Sequence, residues 1–162
     1  MLIQSKTVIH SDFLLKNHNT FHIQATAEAF VEVDSVRVLK DILKENKHPI
    51  QILGGGSNVL FTKKYFNALF IKNAIKGIKI IEENATSVVL EIGSGEGWHD
   101  LVMWAVEHGF GGIENLSLIP GTVGASPIQN IGAYGVELKD VFVKLEAMHL
   151  QTLDIQTDIA HS

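Results

Sequence analysis

The sequence predicts an α+β protein of two lobes, a small α/β lobe over residues 1–65 and an antiparallel-sheet lobe over residues 66–162 that is incomplete at its end. A helix pattern followed by a strand pattern occupies the first part, whereas β-rich runs separated by turn residues dominate the second. All 14 glycines fall between Gly54 and Gly135. The middle of the chain is therefore expected to be built from loops.

The predicted small lobe contains one amphipathic helix and a strand that leads into a glycine loop. Val36, Leu39 and Ile42 recur at helical spacing after Ser35, a residue suited to cap the helix. Residues 49–53 then have strand character and enter the loop of residues 54–58. Residues 59–61 are predicted to return to a strand.

The predicted larger lobe consists mainly of short strands. Residues 68–71, 75–81 and 87–92 are separated by turn residues, which indicates an antiparallel meander. Two further strands are expected over residues 141–150 and 153–159. Apolar residues at helical spacing before Gly109 predict one helix, with Trp98, Leu101, Val102 and Ala105 on its buried face.

Composition excludes several functional classes. The chain has 162 residues, of which 46% are hydrophobic, enough for a substantial core. A net charge of -5 argues against a nucleic-acid partner. Cysteine is absent, which excludes disulfides, thiolate metal sites and a cysteinyl cofactor link. No apolar run could span a bilayer and no signal segment begins the chain, so no membrane partner and a cytoplasmic location are expected.

Side chains offer little for binding a metal or a diphosphate. His18 and His22 lie close in sequence but lack an acidic partner, so no metal site is expected. Arg37 is the only arginine, and guanidinium groups are the usual side-chain ligands of diphosphates. A nucleotide bound by this chain must therefore rely on backbone N–H groups.

Residues 54–58, with the sequence Gly-Gly-Gly-Ser-Asn, are the best candidate for such a backbone site. Consecutive glycines let neighbouring amides point into one concavity, where Ser57 and Asn58 add hydrogen bonds to phosphate oxygens. The alternative is an ordinary tight turn. Three glycines in a row cost more conformational entropy than a turn requires, which favours an anion-binding nest.

Two later glycine segments have weaker patterns. Residues 93–98 follow a strand and precede a helix, as in a Rossmann fingerprint, but Trp98 stands where the third glycine should be. A simple strand-to-helix connection is therefore favoured there. Residues 118–135 are apolar and rich in glycine, so they are expected to fold inward, either around a flat ring or as a buried connection. The spacing of the apolar residues and glycines favours neither alternative.

The motifs of the chain, taken in order, resemble those of the UDP-N-acetylenolpyruvoylglucosamine reductase family. They are residues 19–21 (Asn-Thr-Phe), 53–60, 93–98, 114–124 and, most specifically, 127–135 with the Pro-Ile-Gln-Asn form of one subgroup. The resemblance covers nearly the whole chain from about Lys16. It implies the two-lobed FAD-binding fold of the vanillyl-alcohol-oxidase type.

The resemblance also implies roles for individual residues. Gly54, Gly55, Gly56, Ser57 and Asn58 would hold the FAD pyrophosphate. The flavin and adenosine would be lined by Ile119, Pro120, Gly121, Gly124, Ala125, Ile128, Gly132 and Ala133. Tyr134 would reach the substrate. His22 departs from the family, in which glycine is common at that position.

The activity implied by the resemblance is the NADPH-dependent reduction of UDP-N-acetylenolpyruvoylglucosamine to UDP-N-acetylmuramate, in peptidoglycan precursor synthesis. FAD would be bound non-covalently, with NADPH as hydride donor and the UDP-sugar as substrate. The family's arginine, serine and glutamate would lie beyond Ser162, and its substrate-binding domain would be absent, so this chain alone is expected to be inactive. The alternatives are a stand-alone flavin or nucleotide-binding module and an inert fragment.

Overall fold

A computed structural model describes residues 7–159, and its first half is built on a four-stranded sheet in the order β1-β2-β4-β3. The strands are β1 (His10–Leu14), β2 (Thr26–Val33), β3 (Ile50–Leu53) and β4 (Tyr65–Asn73). β1 is antiparallel to β2, whereas β2 and β3 both run parallel to the central β4. Parallel neighbours require crossover connections, and the glycine loop lies on the crossover between β3 and β4.

Helix α1 (Val36–Glu45) covers one face of this sheet, as the sequence predicts. The Ser35 hydroxyl accepts a hydrogen bond from the Val38 N–H at 3.4 Å and caps the helix. Leu43 packs with Val31 and Ile71 under the helix. The opposite face holds a second cluster that is rich in aromatic rings and includes Leu15, Ala25, Ala27, Phe30, Leu53, Phe61, Ala68 and Phe70.

Two strand predictions in this half are wrong. β4 includes residues 68–71 but is parallel to β2 and β3, so it does not open an antiparallel meander. Residues 59–61 form no strand. Phe61 is buried against Phe66 and Phe70 instead, so the segment is fixed by aromatic packing and not by a ladder of hydrogen bonds. β1 and β2 were not predicted from the sequence.

The second half contains short antiparallel pairs and one helix. β5 (Ile78–Glu83) pairs with β6 (Val88–Ile92), which confirms the hairpin predicted there. Helix α2 (Trp98–Glu107) follows, and Gly109 ends it with a φ of 75°. The buried face of α2 consists of the predicted residues Trp98, Leu101, Val102 and Ala105.

Two more hairpins complete the described chain. β7 (Gly132–Ala133) pairs with β8 (Val136–Glu137), and β9 (Lys144–Met148) pairs with β10 (Ile155–Ile159). The last two strands lie within the runs predicted over residues 141–150 and 153–159. Short 3-10 helices occupy Leu15–His18, Glu114–Leu116, Val123–Ala125 and Leu138–Asp140.

The division into two lobes at residue 65 stays a prediction. β4 begins at Tyr65 and is hydrogen-bonded to β2 and β3, so a boundary there separates β4 from its own sheet. A boundary that keeps the sheet whole follows Asn73. Within residues 7–159, no helix has the length and apolar character required to cross a membrane.

Candidate functional site

The glycine loop of residues 54–58 leaves β3 and passes between two other segments. A Cβ on Gly54 would lie 2.8 Å from the Thr122 Oγ1, and one on Gly56 would lie 2.0 Å from the His18 carbonyl oxygen. Gly56 also has a φ of 73°, in the left-handed region that favours glycine. These glycines are therefore required by close backbone approach as well as by backbone conformation.

The amides of this loop are available to a ligand. Within residues 7–159, no N–H group of residues 54–58 donates to a backbone carbonyl. Consecutive unpaired N–H groups are the structural feature of backbone nests that bind anions. The loop thus offers donors without a positively charged side chain, as the scarcity of arginine requires.

A second loop, residues 118–125, meets the first at Gly121. The Cα of Gly121 lies 3.5 Å from the position of a Cβ on Gly55. A Cβ on Gly121 would in turn lie 3.5 Å from the Ser57 Oγ and 3.6 Å from the Gln129 Nε2. Two polar side chains therefore flank the point where the loops adjoin. Gly121 has a φ of 131°, which a larger residue adopts only with strain.

The third glycine segment, residues 93–97, differs because its amides are already used. Gly93 and Gly95 donate to the carbonyls of Gly77 and Ile75 at 2.7 and 2.8 Å. The segment connects β6 to α2, which confirms its interpretation as a strand-to-helix connection. Ser94 accepts a hydrogen bond at its carbonyl from the Gly124 N–H, so the segment holds the second loop in place.

Glu96 fastens this connection to the start of β5. Its carboxylate accepts the Gly77 N–H at 2.7 Å and pairs with Lys76 at 3.1 Å. The Gly77 hydrogen bond, more than the Lys76 ammonium, lowers the pKa of Glu96 below its usual value. The Glu96 carbonyl also accepts the Val123 N–H at 2.9 Å. One residue thus links three segments behind the site.

His99 supports the entrance of the second loop. Its Nδ1 accepts the Leu118 N–H at 3.3 Å and lies 3.0 Å from the Ser117 hydroxyl. Leu118 has a φ of 62°, an uncommon conformation for a residue with a bulky side chain. The Leu118 side chain points outward and is 77% exposed.

The prediction that residues 118–135 fold inward is wrong for part of the segment. Ile131 is buried, but Leu118 is exposed and Ile128 is 87% exposed. Ile119 and Val123 are half-buried against the α2 cluster. The segment therefore has one face in the core and presents apolar side chains on the other, which is the form of a surface that a flat ligand can cover.

The predicted site residues are divided between these places. Gly55 and Ser57 adjoin Gly121, Gly54 lies against Thr122, and Gly56 lies against the His18 carbonyl. Gly124 packs on Ser94, and Ala125 follows it in a 3-10 helix. Asn58 and Pro120 are exposed at the two loops. No hydrogen bond within the described chain joins Ile128, Gly132, Ala133 or Tyr134 to the glycine loop.

Tyr134 lies at the tip of the β7–β8 hairpin, where its side chain is 90% exposed. Tyr134 and Gly135 have φ values of 54° and 82°, as a two-residue hairpin turn of the I′ type requires. A core tyrosine with a satisfied hydroxyl, the alternative to a ligand contact, is excluded by this exposure.

A cavity of the described chain lies away from the glycine loops. It has a volume of about 920 Å³ and lies between α1 and the sheet, with residues such as Arg37, Asp41, Glu28 and His48 in its lining. These charges have both signs. None of residues 54–58 or 118–135 lines this cavity. The only arginine, Arg37, therefore lines a cavity to which the glycine loops do not contribute. No group of three potential metal ligands occurs among the described residues.

Thr122 and Gln129 were missed as site residues. Thr122 stands over Gly54 and Gln129 stands beside Gly121. The sequence offered a signal, because both residues belong to the segments that carry the family resemblance. The contact of Thr122 with Gly54 depends on the meeting of two loops far apart in the chain, whereas Gln129 and Gly121 belong to the same segment.

In this α+β fold, a glycine loop whose amides have no backbone partner in the described chain adjoins a second glycine loop, an arrangement suited to anionic ligands. The chain belongs to the FAD binding domain family, which it matches over residues 27–151. It is 53% identical to the UDP-N-acetylenolpyruvoylglucosamine reductase of Flavobacterium johnsoniae over 92% of this chain and 44% of that protein. The reductase of Pseudomonas aeruginosa is 48% identical over 85% of this chain and 41% of that protein.

A solved structure supports the fold. The crystal structure of UDP-N-acetylenolpyruvylglucosamine reductase from Thermus caldophilus matches with a TM-score of 0.71 and 22% identity, over 96% of this chain and 53% of that chain. The resemblance and the fold class inferred from the motifs are confirmed. The chain spans less than half the length of the curated relatives it matches.

Proposed function

We propose that the chain binds FAD non-covalently and is the flavin-binding part of a reductase that converts UDP-N-acetylenolpyruvoylglucosamine to UDP-N-acetylmuramate. The observation that supports FAD most directly is the set of unpaired amides of residues 54–58 beside Gly121. The one arginine, Arg37, lines the α1 cavity, so the proposed donors to the diphosphate are the backbone N–H groups of the glycine loop.

The residues present fit the chemistry of a diphosphate, because residues 54–58 offer backbone N–H groups without backbone partners in the described chain. A Cβ on Gly54 or Gly56 would collide with Thr122 or with the His18 carbonyl, so glycine keeps the loop in this conformation. We assign the pyrophosphate to Gly54, Gly55, Gly56, Ser57 and Asn58. The exposed apolar side of residues 118–133 is assigned to the flavin and adenosine, through Ile119, Pro120, Gly121, Gly124, Ala125, Ile128, Gly132 and Ala133.

The names of the curated relatives support the proposed reaction. FAD supplies hydride transfer when bound, with NADPH as the proposed hydride donor. The chain's own share is to hold the cofactor, to orient it and to keep the second loop rigid through Ser94, Glu96 and His99. Tyr134 is the proposed contact to the UDP-sugar. A cytoplasmic location and a role in peptidoglycan precursor synthesis belong to the same proposal.

Titration of the purified chain with FAD and, separately, with riboflavin tests the proposal. Flavin fluorescence reports both affinities. A diphosphate-binding loop predicts a Kd for FAD at least tenfold lower than that for riboflavin, since hydrogen bonds to a charged group contribute about 1.5–3 kcal/mol. Equal affinities, or no binding of FAD, would refute the proposal.

Paired serine variants localise the effect. Ser57→Ala removes the hydroxyl beside Gly121, and Ser87→Ala removes a hydroxyl from the exposed β5–β6 turn. We expect Ser57→Ala to weaken FAD severalfold and to leave riboflavin unchanged. Ser87→Ala should change neither affinity. If Ser57→Ala leaves the affinity for FAD unchanged but substitutions around the α1 cavity reduce it, the FAD site lies at that cavity.

A further inference from the structure

We infer that Asn19 is a positioning residue that holds the glycine loop of residues 54–58 in its anion-binding conformation, through the backbone of His18 and Thr20. This inference rests on the proposed function, because it explains how the proposed pyrophosphate loop is oriented. Asn19 belongs to the Asn-Thr-Phe motif, for which the sequence suggested no chemical role.

The segment that contains Asn19 is anchored to the core. Leu15 is fully buried, and the His18 ring packs in a tilted orientation with its centroid 4.8 Å from that of Phe30 and 5.3 Å from that of Phe13. These contacts fix the segment on the aromatic face of the first sheet. The anchor is therefore rigid relative to β2 and β3.

The Asn19 side chain shapes the turn that follows. It is 4% exposed, and its amide nitrogen donates to the carbonyls of Leu15 and Ile23 at 2.9 and 3.1 Å. Its amide oxygen accepts the Ile23 N–H at 2.9 Å. A buried amide bonded on both its oxygen and its nitrogen specifies one backbone conformation. Asn19 thus fixes residues 15–23 as one unit.

Residues 15–23 contact the glycine loop at Gly56. The Thr20 N–H donates to the Gly56 carbonyl at 3.2 Å, and the Thr20 hydroxyl lies 3.4 Å from the same oxygen. The His18 carbonyl stands so close to Gly56 that a Cβ there would lie 2.0 Å away. Gly56 is therefore held on two sides by the turn that Asn19 shapes.

These contacts with Gly56 orient the N–H group of Ser57. In a trans peptide the carbonyl of Gly56 and the N–H of Ser57 point in opposite directions. Because the carbonyl is directed at Thr20, the Ser57 N–H is directed away from the turn and remains free of backbone partners in the described chain. The Asn19 turn therefore aims a donor of the loop at its ligand.

The glycine at residue 22 of related proteins fits the same turn. His22 has a φ of 52°, and its N–H donates to the Asn19 carbonyl at 3.1 Å. The left-handed backbone at this position explains why glycine is common there.

Asn19→Asp tests the inference in the purified chain. It keeps the shape of the side chain but replaces the donor toward Leu15 and Ile23 with an acceptor. We expect the Kd for FAD to rise tenfold or more and the Kd for riboflavin, which has no phosphate, to stay the same. Thr20→Ala is an exposed and milder change for which we expect a loss of FAD affinity of about two- to threefold.

Asn46→Asp is the matched control. The Asn46 amide also donates to a carbonyl and accepts an N–H, both of His48, at the end of α1. It should leave the ratio of FAD to riboflavin affinity unchanged. Circular dichroism confirms that each variant is folded.

The outcomes separate the inference from the proposed function. If the unmodified chain prefers FAD but Asn19→Asp and Thr20→Ala weaken FAD and riboflavin equally, or affect only the melting temperature, Asn19 is merely structural and the inference is wrong. If the unmodified chain shows no preference for FAD, the proposed function itself fails. A selective loss of FAD in both variants, absent from Asn46→Asp, supports the inference.

Discussion

Replacement of Gly56 by alanine is the sharpest test of why the first loop contains glycine. Its φ of 73° belongs to the left-handed region, and a Cβ would lie 2.0 Å from the His18 carbonyl oxygen. The two costs can be separated with Gly109→Ala, because Gly109 has a φ of 75° and nothing within 4 Å of its Cβ position.

Comparison of Gly56→Ala with Gly109→Ala gives the expected losses in the free energy of unfolding. Alanine in the left-handed region costs about 1–2 kcal/mol, partly offset by about 0.4–1 kcal/mol from the lower entropy of the unfolded chain. Gly109→Ala should therefore destabilise by no more than about 1–1.5 kcal/mol. Gly56→Ala adds a backbone collision that only movement of the loop relieves, at about 1–3 kcal/mol more.

Chemical denaturation of both variants measures these differences, and FAD titration measures the effect on the loop. At this chain length the added cost corresponds to a melting temperature about 3–10 °C lower for Gly56→Ala than for Gly109→Ala. FAD affinity should fall only for Gly56→Ala. Equal stability of the two variants would show that residues 18–20 do not confine Gly56, and retained FAD affinity would show that the loop does not bind the cofactor.

Three further predictions concern the cofactor link and pH. FAD should be released completely by denaturation, because the chain has no cysteine; colour retained in the precipitate would contradict this. Burial, assisted by Lys72 and opposed by Glu32, lowers the pKa of His18 from 6.5, so stability should decline as pH falls below 6.5, and His18→Phe should flatten that dependence. The pKa of Glu96 is lowered from 4.5, so its contribution to stability is complete above that value and is lost below it. Chemical denaturation should therefore show that Glu96→Gln has a lower free energy of unfolding at pH 7 and that this difference shrinks in acid. A difference that stays constant with pH would refute this.

Local signals were enough for the elements that are stabilised locally. The cap at Ser35 and the apolar spacing after it predicted α1, and the apolar face before Gly109 predicted α2. The β5–β6 hairpin was predictable because its strands adjoin in sequence. In each case the residues that determine the element lie within it or beside it.

Residues 49–53 and 68–71 of the first sheet were predicted as strands, but β1, β2 and the parallel pairing could not be predicted in the same way. β2 and β4 pair in parallel across intervening elements and are buried on both faces, so they lack the alternation that marks a half-exposed strand. The same limit applies to the site. A glycine run indicated the first loop, but the roles of Thr20 and Thr122 against Gly56 and Gly54 exist only once distant segments meet.

Tyr134 offers a test in which stability and function should move in opposite directions. A turn with positive φ at both central residues favours asparagine and glycine, so tyrosine at this tip is retained against its conformational preference. Strain at an exposed residue points to a role outside folding. Tyr134→Asn should therefore raise the melting temperature, whereas Tyr134→Phe, whose ring is equally exposed, should leave it unchanged.

Substrate affinity should respond differently. If the Tyr134 hydroxyl bonds a phosphate or sugar oxygen of the UDP-sugar, its loss removes about 1.5–3 kcal/mol, which weakens the substrate roughly tenfold or more. Tyr134→Asn and Tyr134→Phe both lack the hydroxyl, so both should lose substrate affinity. The FAD content should be unchanged in both variants. The measurement is titration of the FAD-loaded full-length reductase with UDP-N-acetylenolpyruvoylglucosamine. Unchanged affinity in Tyr134→Phe, or a loss of FAD in either variant, would remove Tyr134 from the substrate site and leave its strained turn without a functional explanation.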